Sequence, residues 1–158
     1  MRNRLYYHLQ LHRLIYKYQF GFRHNHSTTL AVIDVIDNIY ERLDNGEKVI
    51  GLYFDLQKAF DTVNHEILLY KLEKLGVRGI VHDWFKNYLT DRYQYTFCNA
   101  VKSGMMKIDC GVPQGSVLGP LLFLVYMNDI IFYSILFDFF IIIIFIRTSV
   151  QNNHRATE

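Results

Sequence analysis

The stretch Phe54-Asp55-Leu56-Gln57-Lys58-Ala59-Phe60-Asp61-Thr62-Val63 sets two carboxylates, Asp55 and Asp61, around a Lys-Ala-Phe turn. Asp55 directly follows the apolar run Lys48-Val49-Ile50-Gly51-Leu52-Tyr53-Phe54. A carboxylate at the end of a rigid strand is how a fold presents a metal ligand or a general base. An acid that merely ends a strand and opens a turn is the plainer alternative, and the second acid makes this segment more particular than that. A second cluster, Gly111-Val112-Pro113-Gln114-Gly115-Ser116-Val117-Leu118-Gly119-Pro120-Leu121-Leu122-Phe123, holds both prolines of the chain. Such a composition specifies an unusual backbone path and lets another chain or a ligand come close. Gln114 in that loop can hydrogen-bond a base or a sugar, and N–H groups ahead of the following helix can face a phosphate. A stiff loop that enters a helix without any ligand is the alternative there.

Other chemistry is sparse. His8 and His12 share a helical spacing but have no third ligand at hand, and with His24 and His26 they read as surface residues rather than zinc ligands. No phosphate-binding GxxxxGK[ST] loop occurs, and sequence order alone supports no Ser-His-Asp constellation. The two cysteines, Cys98 and Cys110, exclude a disulfide scaffold and a four-cysteine zinc module; the expectation is two buried thiols on the arms of a hairpin.

The elements that must position these residues follow from periodicity and caps. Ser27 is a good N-cap for a helix from Thr28 to about Asp44, with Leu30, Ile33, Ile36, Ile39, Tyr40 and Leu43 on an apolar face. Lys48–Phe54 reads as a buried strand ending at Asp55. Asn64 caps a helix from Glu66 to Leu75, with Ile67, Leu68, Leu72 and Leu75 as its apolar set. A third helix spans about Ile80 to Leu89, with Val81, Trp84, Phe85 and Tyr88 on one side. Tyr93–Cys110 alternates as a β-hairpin with turn residues at Asn99 and at Ser103-Gly104. A last helix follows the Gly111–Ser116 loop, from about Leu118 to Asp129. The order predicts an α+β fold with a small antiparallel or mixed sheet packed on helices.

Composition narrows the class. The 158 residues are one domain or part of one, given about 100–200 residues per domain. Hydrophobic residues make up 51% and aromatic ones 16%, enough apolar surface for a core and too much for a disordered chain. Net charge is only +2, yet five basic residues and no acid precede Asp34. A basic arm ahead of a nearly neutral body hints at polyanion contact, with a solvated surface or transit segment as the alternative.

Four blocks, in order, carry a resemblance. They are Gln19-Phe20-Gly21-Phe22-Arg23 with His26-Ser27-Thr28-Thr29, then Phe54–Asp61, then Gly111–Pro120, then Tyr126-Met127-Asn128-Asp129-Ile130. Together they resemble the reverse transcriptase domain of non-LTR retrotransposons, jockey-like elements in particular. The resemblance implies a partial polymerase palm with remnant fingers: a basic fingers segment at 1–18, fingers and palm at 19–130, and a divergent apolar tail at 131–158. It implies RNA-directed DNA synthesis on an RNA template and a DNA primer from deoxynucleotides, in nucleus or cytoplasm. The chemistry is two-metal nucleotidyl transfer, with Mg²⁺ or Mn²⁺ ions about 3.5–4 Å apart. By the same resemblance Asp55 is a catalytic metal ligand, assisted by the Leu56 carbonyl. Phe60, Gln114 and Gly115 lie on the nucleotide side. Phe60 matches the aromatic that excludes a 2′-hydroxyl, with core packing as its alternative. Arg23 and Lys58 are candidate template or nucleic-acid contacts, and Asp61 reads as a turn or capping residue.

The chain also departs from that pattern. The family's aromatic-Ala-Asp-Asp box is expected after Asn128-Asp129, and the sequence there is Ser134-Ile135-Leu136-Phe137-Asp138-Phe139-Phe140, followed by four isoleucines. Asp138 is the only remnant acid, and the Ile/Phe run resembles a stretch read in another frame. Metal binding and polymerisation by this chain alone are therefore expected to be weak or lost. Two alternatives stand beside this reading. One is a non-catalytic module that binds RNA or an RNA–DNA hybrid. The other is a tail-anchored membrane protein through 130–146, where Asp138 would cost about 2.5–3.5 kcal/mol against the Ile and Phe around it.

Overall fold

The computed structural model describes residues 1–113, 115–129 and 140–145. Its first helix, α1 (Arg2–Leu11), buries Leu5 and Leu9. Helix α2 (Thr28–Asp44) starts where Ser27 is extended and its hydroxyl accepts the Leu30 N–H at 3.1 Å. Strand β1 (Ile50–Asp55) leads to α3 (His65–Lys74), which Asn64 caps by accepting the Ile67 N–H at 3.0 Å. Helix α4 (Ile80–Leu89) follows. Then come short strands β2 (Arg92–Gln94), β3 (Phe97–Cys98), β4 (Val101–Lys102) and β5 (Met106–Ile108), then α5 (Gly119–Met127) and β6 (Phe140–Phe145).

Three two-stranded pairings result. β1 and β6 run parallel in register from Ile50↔Phe140 to Asp55↔Phe145. A parallel pair needs a long crossover, and α3, α4, the hairpin and α5 all lie within it. β2 pairs antiparallel with β5, and β3 with β4, so the predicted hairpin is one ribbon interrupted between its outer and inner pairs. Its tip is a two-residue turn at Asn99 (φ +47°) and Ala100 (φ +63°). That is the sign pattern a right-twisted hairpin wants, and glycine is the residue that adopts it without strain. Ala100→Gly is expected to raise stability by about 0.5–1 kcal/mol, read as a higher urea midpoint at constant m-value.

The core lies between α3, α4 and α5. Leu68, Leu72, Phe85 and Leu122 are fully buried. In α5 the consecutive residues Leu121 to Val125 are all buried, so this helix is covered on every side.

Four burial expectations are corrected. No residue of α2 is buried, and Leu30, Ile33, Ile36, Tyr40 and Leu43 are exposed; spacing decides which face of a helix could be covered, not whether anything covers it. Ile50 and Tyr53 of β1 are exposed, so the strand is not buried along its whole length as expected. In α4 the buried pair is Phe85 and Leu89, while Val81 and Trp84 lie at the surface, Trp84 stacked on Tyr88 at 5.5 Å. Cys98 and Cys110 are free and exposed, not buried: both residues of β3 are exposed, and Cys110 lies in the exposed segment after β5. Most of the apolar run at 130–146 falls outside the described residues, apart from β6. Among the described residues no helix is long and apolar enough to cross a membrane.

Candidate functional site

Asp55 is the last residue of β1, and its side chain is exposed. Beyond it Leu56 is half-buried and packs against the core. The chain then turns sharply at Lys58, which has φ +52° and whose carbonyl accepts the N–H groups of Asp61 (2.9 Å) and Thr62 (3.1 Å). Asp61 is thus a turn residue, and the helix cap is Asn64. The turn drops Ala59 and Phe60 into the core. The Phe60 ring meets Phe22 edge-on at 5.9 Å and Phe123 in a tilted contact at 4.6 Å. Phe22 belongs to the first block, Phe60 to the second, and Phe123 to α5, just beyond the third. Only 9% of Phe60 is exposed, which makes it a core residue first.

The segment from Phe60 to His65 is also laced to the start of the glycine-rich loop. Gly111 N–H donates to the Val63 carbonyl at 2.7 Å and Val112 N–H to the Phe60 carbonyl at 2.8 Å. His65 is buried, and its Nε2 lies 2.7 Å from the Gly111 carbonyl. A carbonyl only accepts, so Nε2 carries the proton. His65 escaped the sequence reading, although its spacing of three and seven residues from Leu68 and Leu72 puts it on the buried face of α3. Gly111 has φ +88°, and a Cβ there would lie 2.8 Å from the Asp61 carbonyl oxygen. Gly115 is also left-handed, at φ +76°, but stands in open space. Gln114 lies outside the described residues.

The first and last blocks are tied by side chains reaching backbone. Arg23 Nη1 donates to the carbonyls of Tyr16 (3.2 Å), Lys17 (3.4 Å) and Gln19 (3.1 Å). The guanidinium expected at the template therefore braces its own preceding turn. Asn128 accepts the Tyr16 N–H at 2.9 Å and donates to the Leu14 carbonyl at 2.7 Å. Its neighbour Asp129 pairs with Lys71, which also bonds the Tyr126 carbonyl at the end of α5. These are structural uses of residues that the sequence offered only as motif members. Asn128→Ala removes both partners of two part-buried backbone groups and is expected to cost about 1–3 kcal/mol, measured as a lower urea midpoint. Lys17, exposed beside this turn, has its ammonium pKa raised, chiefly by its hydrogen bond to Tyr18.

The two-metal centre that the resemblance implies is not met by the described residues. Among them no group of three or more His, Cys, Asp or Glu is placed to hold a metal ion. Asp55 stands there as a single candidate ligand, and Asp138 lies outside the described residues. Lys58 is exposed at the turn, beside a cleft of about 640 Å³ that also reaches Asp61, Gly111 and the base of the hairpin.

Comparison with known proteins identifies the family. Residues 1–140 match the family model described as reverse transcriptase (RNA-dependent DNA polymerase). The RNA-directed DNA polymerase from mobile element jockey of Drosophila melanogaster is 38% identical over 117 residues, 74% of this chain. The probable RNA-directed DNA polymerase from transposon BS of the same fly is 37% identical over 118 residues. A retrovirus-related Pol polyprotein from type-1 retrotransposable element R2 of Popillia japonica is 28% identical over 104 residues. The matched segment covers 13% of the jockey and BS proteins and 17% of the R2 protein. With the family model spanning most of the chain and its sequence blocks meeting around Phe60, this chain belongs to the reverse transcriptase (RNA-dependent DNA polymerase) family.

Proposed function

We propose that this chain is the part of a retrotransposon RNA-directed DNA polymerase that carries the first metal-binding carboxylate, Asp55, and the nucleotide-side loop from Gly111 to Gly115, and that by itself it binds nucleic acid without extending a primer. The observation that carries the reading is that Phe60 meets the first block through the Phe22 ring and the glycine-rich loop through the Val112 N–H on its carbonyl. Those contacts make the Asp55 turn and the glycine-rich loop one body, which is how a polymerase palm fixes a carboxylate relative to an incoming nucleotide. In an intact site two divalent ions would activate the primer hydroxyl and neutralise the leaving pyrophosphate. Among the described residues a single carboxylate offers too few ligands. Losing one transition-state donor costs other enzymes about 10²–10³ in rate, and losing the ligands of a metal should cost more.

The test is primer extension by the full chain on an RNA template with a DNA primer, deoxynucleotides and Mg²⁺ or Mn²⁺. The expected result is extension no greater than that of Asp55→Asn, together with template–primer binding that weakens as salt rises. Extension that depends on Asp55 would overturn the inactivity. Absence of any template–primer binding would overturn the nucleic-acid role.

A further inference from the structure

The cleft of about 640 Å³ beside the Lys58 turn has a second wall, the base of the hairpin. Three cations line it: Lys58 from the turn, Arg92 from β2 and Lys107 from β5. Asp61 and Asp109 line it too. Among the described residues neither Lys58 nor Arg92 has a carboxylate within ion-pair distance, and Lys107 reaches Asp91 and Asp109 only at 3.9 Å, with both acids largely exposed. Pairs that long and that solvated are weak, so the cations remain available to an anion. Arg92 lies 5.5 Å from the Tyr88 ring centre, which orients its guanidinium without neutralising it. Lys58 starts from a fixed left-handed backbone.

The hairpin that rises from this cleft is aromatic and uncovered. Tyr93 and Tyr95 are more than half exposed. Tyr93 stands directly across from Lys107, and the Lys102 ammonium lies 4.0 Å from the Tyr95 ring centre. The ribbon is only two strands wide, about 5 Å. A polynucleotide backbone held at the cleft edge can therefore place successive bases across the ribbon onto the two tyrosines. A free nucleotide would need one ring at most. Interleaved cations and exposed rings are the pattern of single-strand binding surfaces.

We infer that the cleft and hairpin hold a single strand of nucleic acid, with Lys58, Arg92 and Lys107 on its phosphates and Tyr93 and Tyr95 stacked on its bases. The inference rests on the nucleic-acid role proposed above and adds a place for it, on residues outside the blocks that carry the family resemblance except Lys58. The experiment is fluorescence anisotropy of the full chain with a labelled oligo(U) 12-mer over a salt series. Arg92→Gln with Lys107→Gln is expected to flatten the slope of log K against log salt by about 1.4, two contacts at roughly 0.7 each for a single strand. Tyr93→Ala with Tyr95→Ala is expected to weaken binding at least tenfold with the slope unchanged. Tyr93, Tyr95 and Lys107 are exposed and Arg92 is half-buried, and an unchanged urea midpoint verifies the fold. If the parent chain binds and either double variant binds with wild-type affinity and slope, the hairpin is not the strand site, while the nucleic-acid role survives. If millimolar dUTP displaces the 12-mer from the parent, and the tyrosine variant binds it normally, the cleft takes a free nucleotide and the strand assignment falls. If the parent binds no oligonucleotide, both readings fall together.

Discussion

Gly111→Ala is expected to lower the unfolding free energy by about 2–4 kcal/mol, an effect comparable to removing a large core side chain. Two penalties combine. The backbone at Gly111 is left-handed, φ +88°, which costs a residue with a Cβ about 1–2 kcal/mol. The new Cβ would also lie 2.8 Å from the Asp61 carbonyl oxygen and 3.0 Å from its Cα, and both are backbone atoms that cannot swing aside. Any retreat of the loop stretches Gly111 N–H from Val63, Val112 N–H from Phe60 and the His65 imidazole from the Gly111 carbonyl. The buried His65 donor cannot find water if its acceptor leaves, and a buried donor without a partner costs about 1–3 kcal/mol. Gly115→Ala supplies the control. Its backbone is also left-handed, but no atom lies within 4 Å of the added Cβ, so only the conformational penalty applies. Urea denaturation of both variants separates the two costs. Equal losses would mean that the Asp61–Gly111 crossing is not tight and that the two loops are not held as one body.

The ends of the helices were legible in the sequence because caps are local. Ser27 and Asn64 each satisfy an N–H three residues on, and Gly46 and Gly76 take left-handed φ values just past the helices they follow. Asp55 at the end of β1 was legible for the same reason. What the sequence could not show is where burial falls. The apolar stripe of α2 is as regular as that of α3, yet Leu68 and Leu72 are fully buried while Ile33 and Ile36 are not; the difference lies in what packs on each helix, and that is long-range. The same limit hid the roles of polar residues. Arg23 looked like a free cation, but its Nη1 closes on carbonyls of the turn before it. Asn128 looked like a motif letter, but it joins α5 to residues more than a hundred positions away. The spacing of His65 from Leu68 and Leu72 marks its burial but not its acceptor, and only the position of Gly111 makes it a buried donor. The family resemblance named the blocks, and their meeting point at Phe60 is a property of the packed chain.

Phe60→Ala is expected to be the most damaging substitution in this segment, with a loss of about 3–5 kcal/mol. At about 2–4 °C per kcal/mol for a chain of this size, the melting temperature would fall by roughly 6–20 °C. The ring is 9% exposed and joins Phe22 on one side to Phe123 on the other, so removing it opens a cavity between the first sequence block and α5. Part of the loss belongs to the Phe60–Phe123 pair, whose centroids are 4.6 Å apart. A double-mutant cycle with Phe123→Ala isolates that part, and about 0.5–1.5 kcal/mol of coupling is expected beyond buried area. Phe60→Leu keeps most of the volume and should cost less than half as much. This difference decides how a sugar-facing role for Phe60 can be examined. A residue that holds the core cannot be truncated to alanine to ask what its exposed edge excludes, because the whole turn from Asp55 to Asp61 would loosen with it. The leucine variant removes the aromatic edge and leaves the turn in place, so a change in nucleotide preference there, without a matching change in stability, is what a sugar contact would produce. If Phe60→Ala proves as mild as Phe60→Leu, the ring is not what joins the Asp55 turn to Phe22 and α5, and that packing must lie elsewhere.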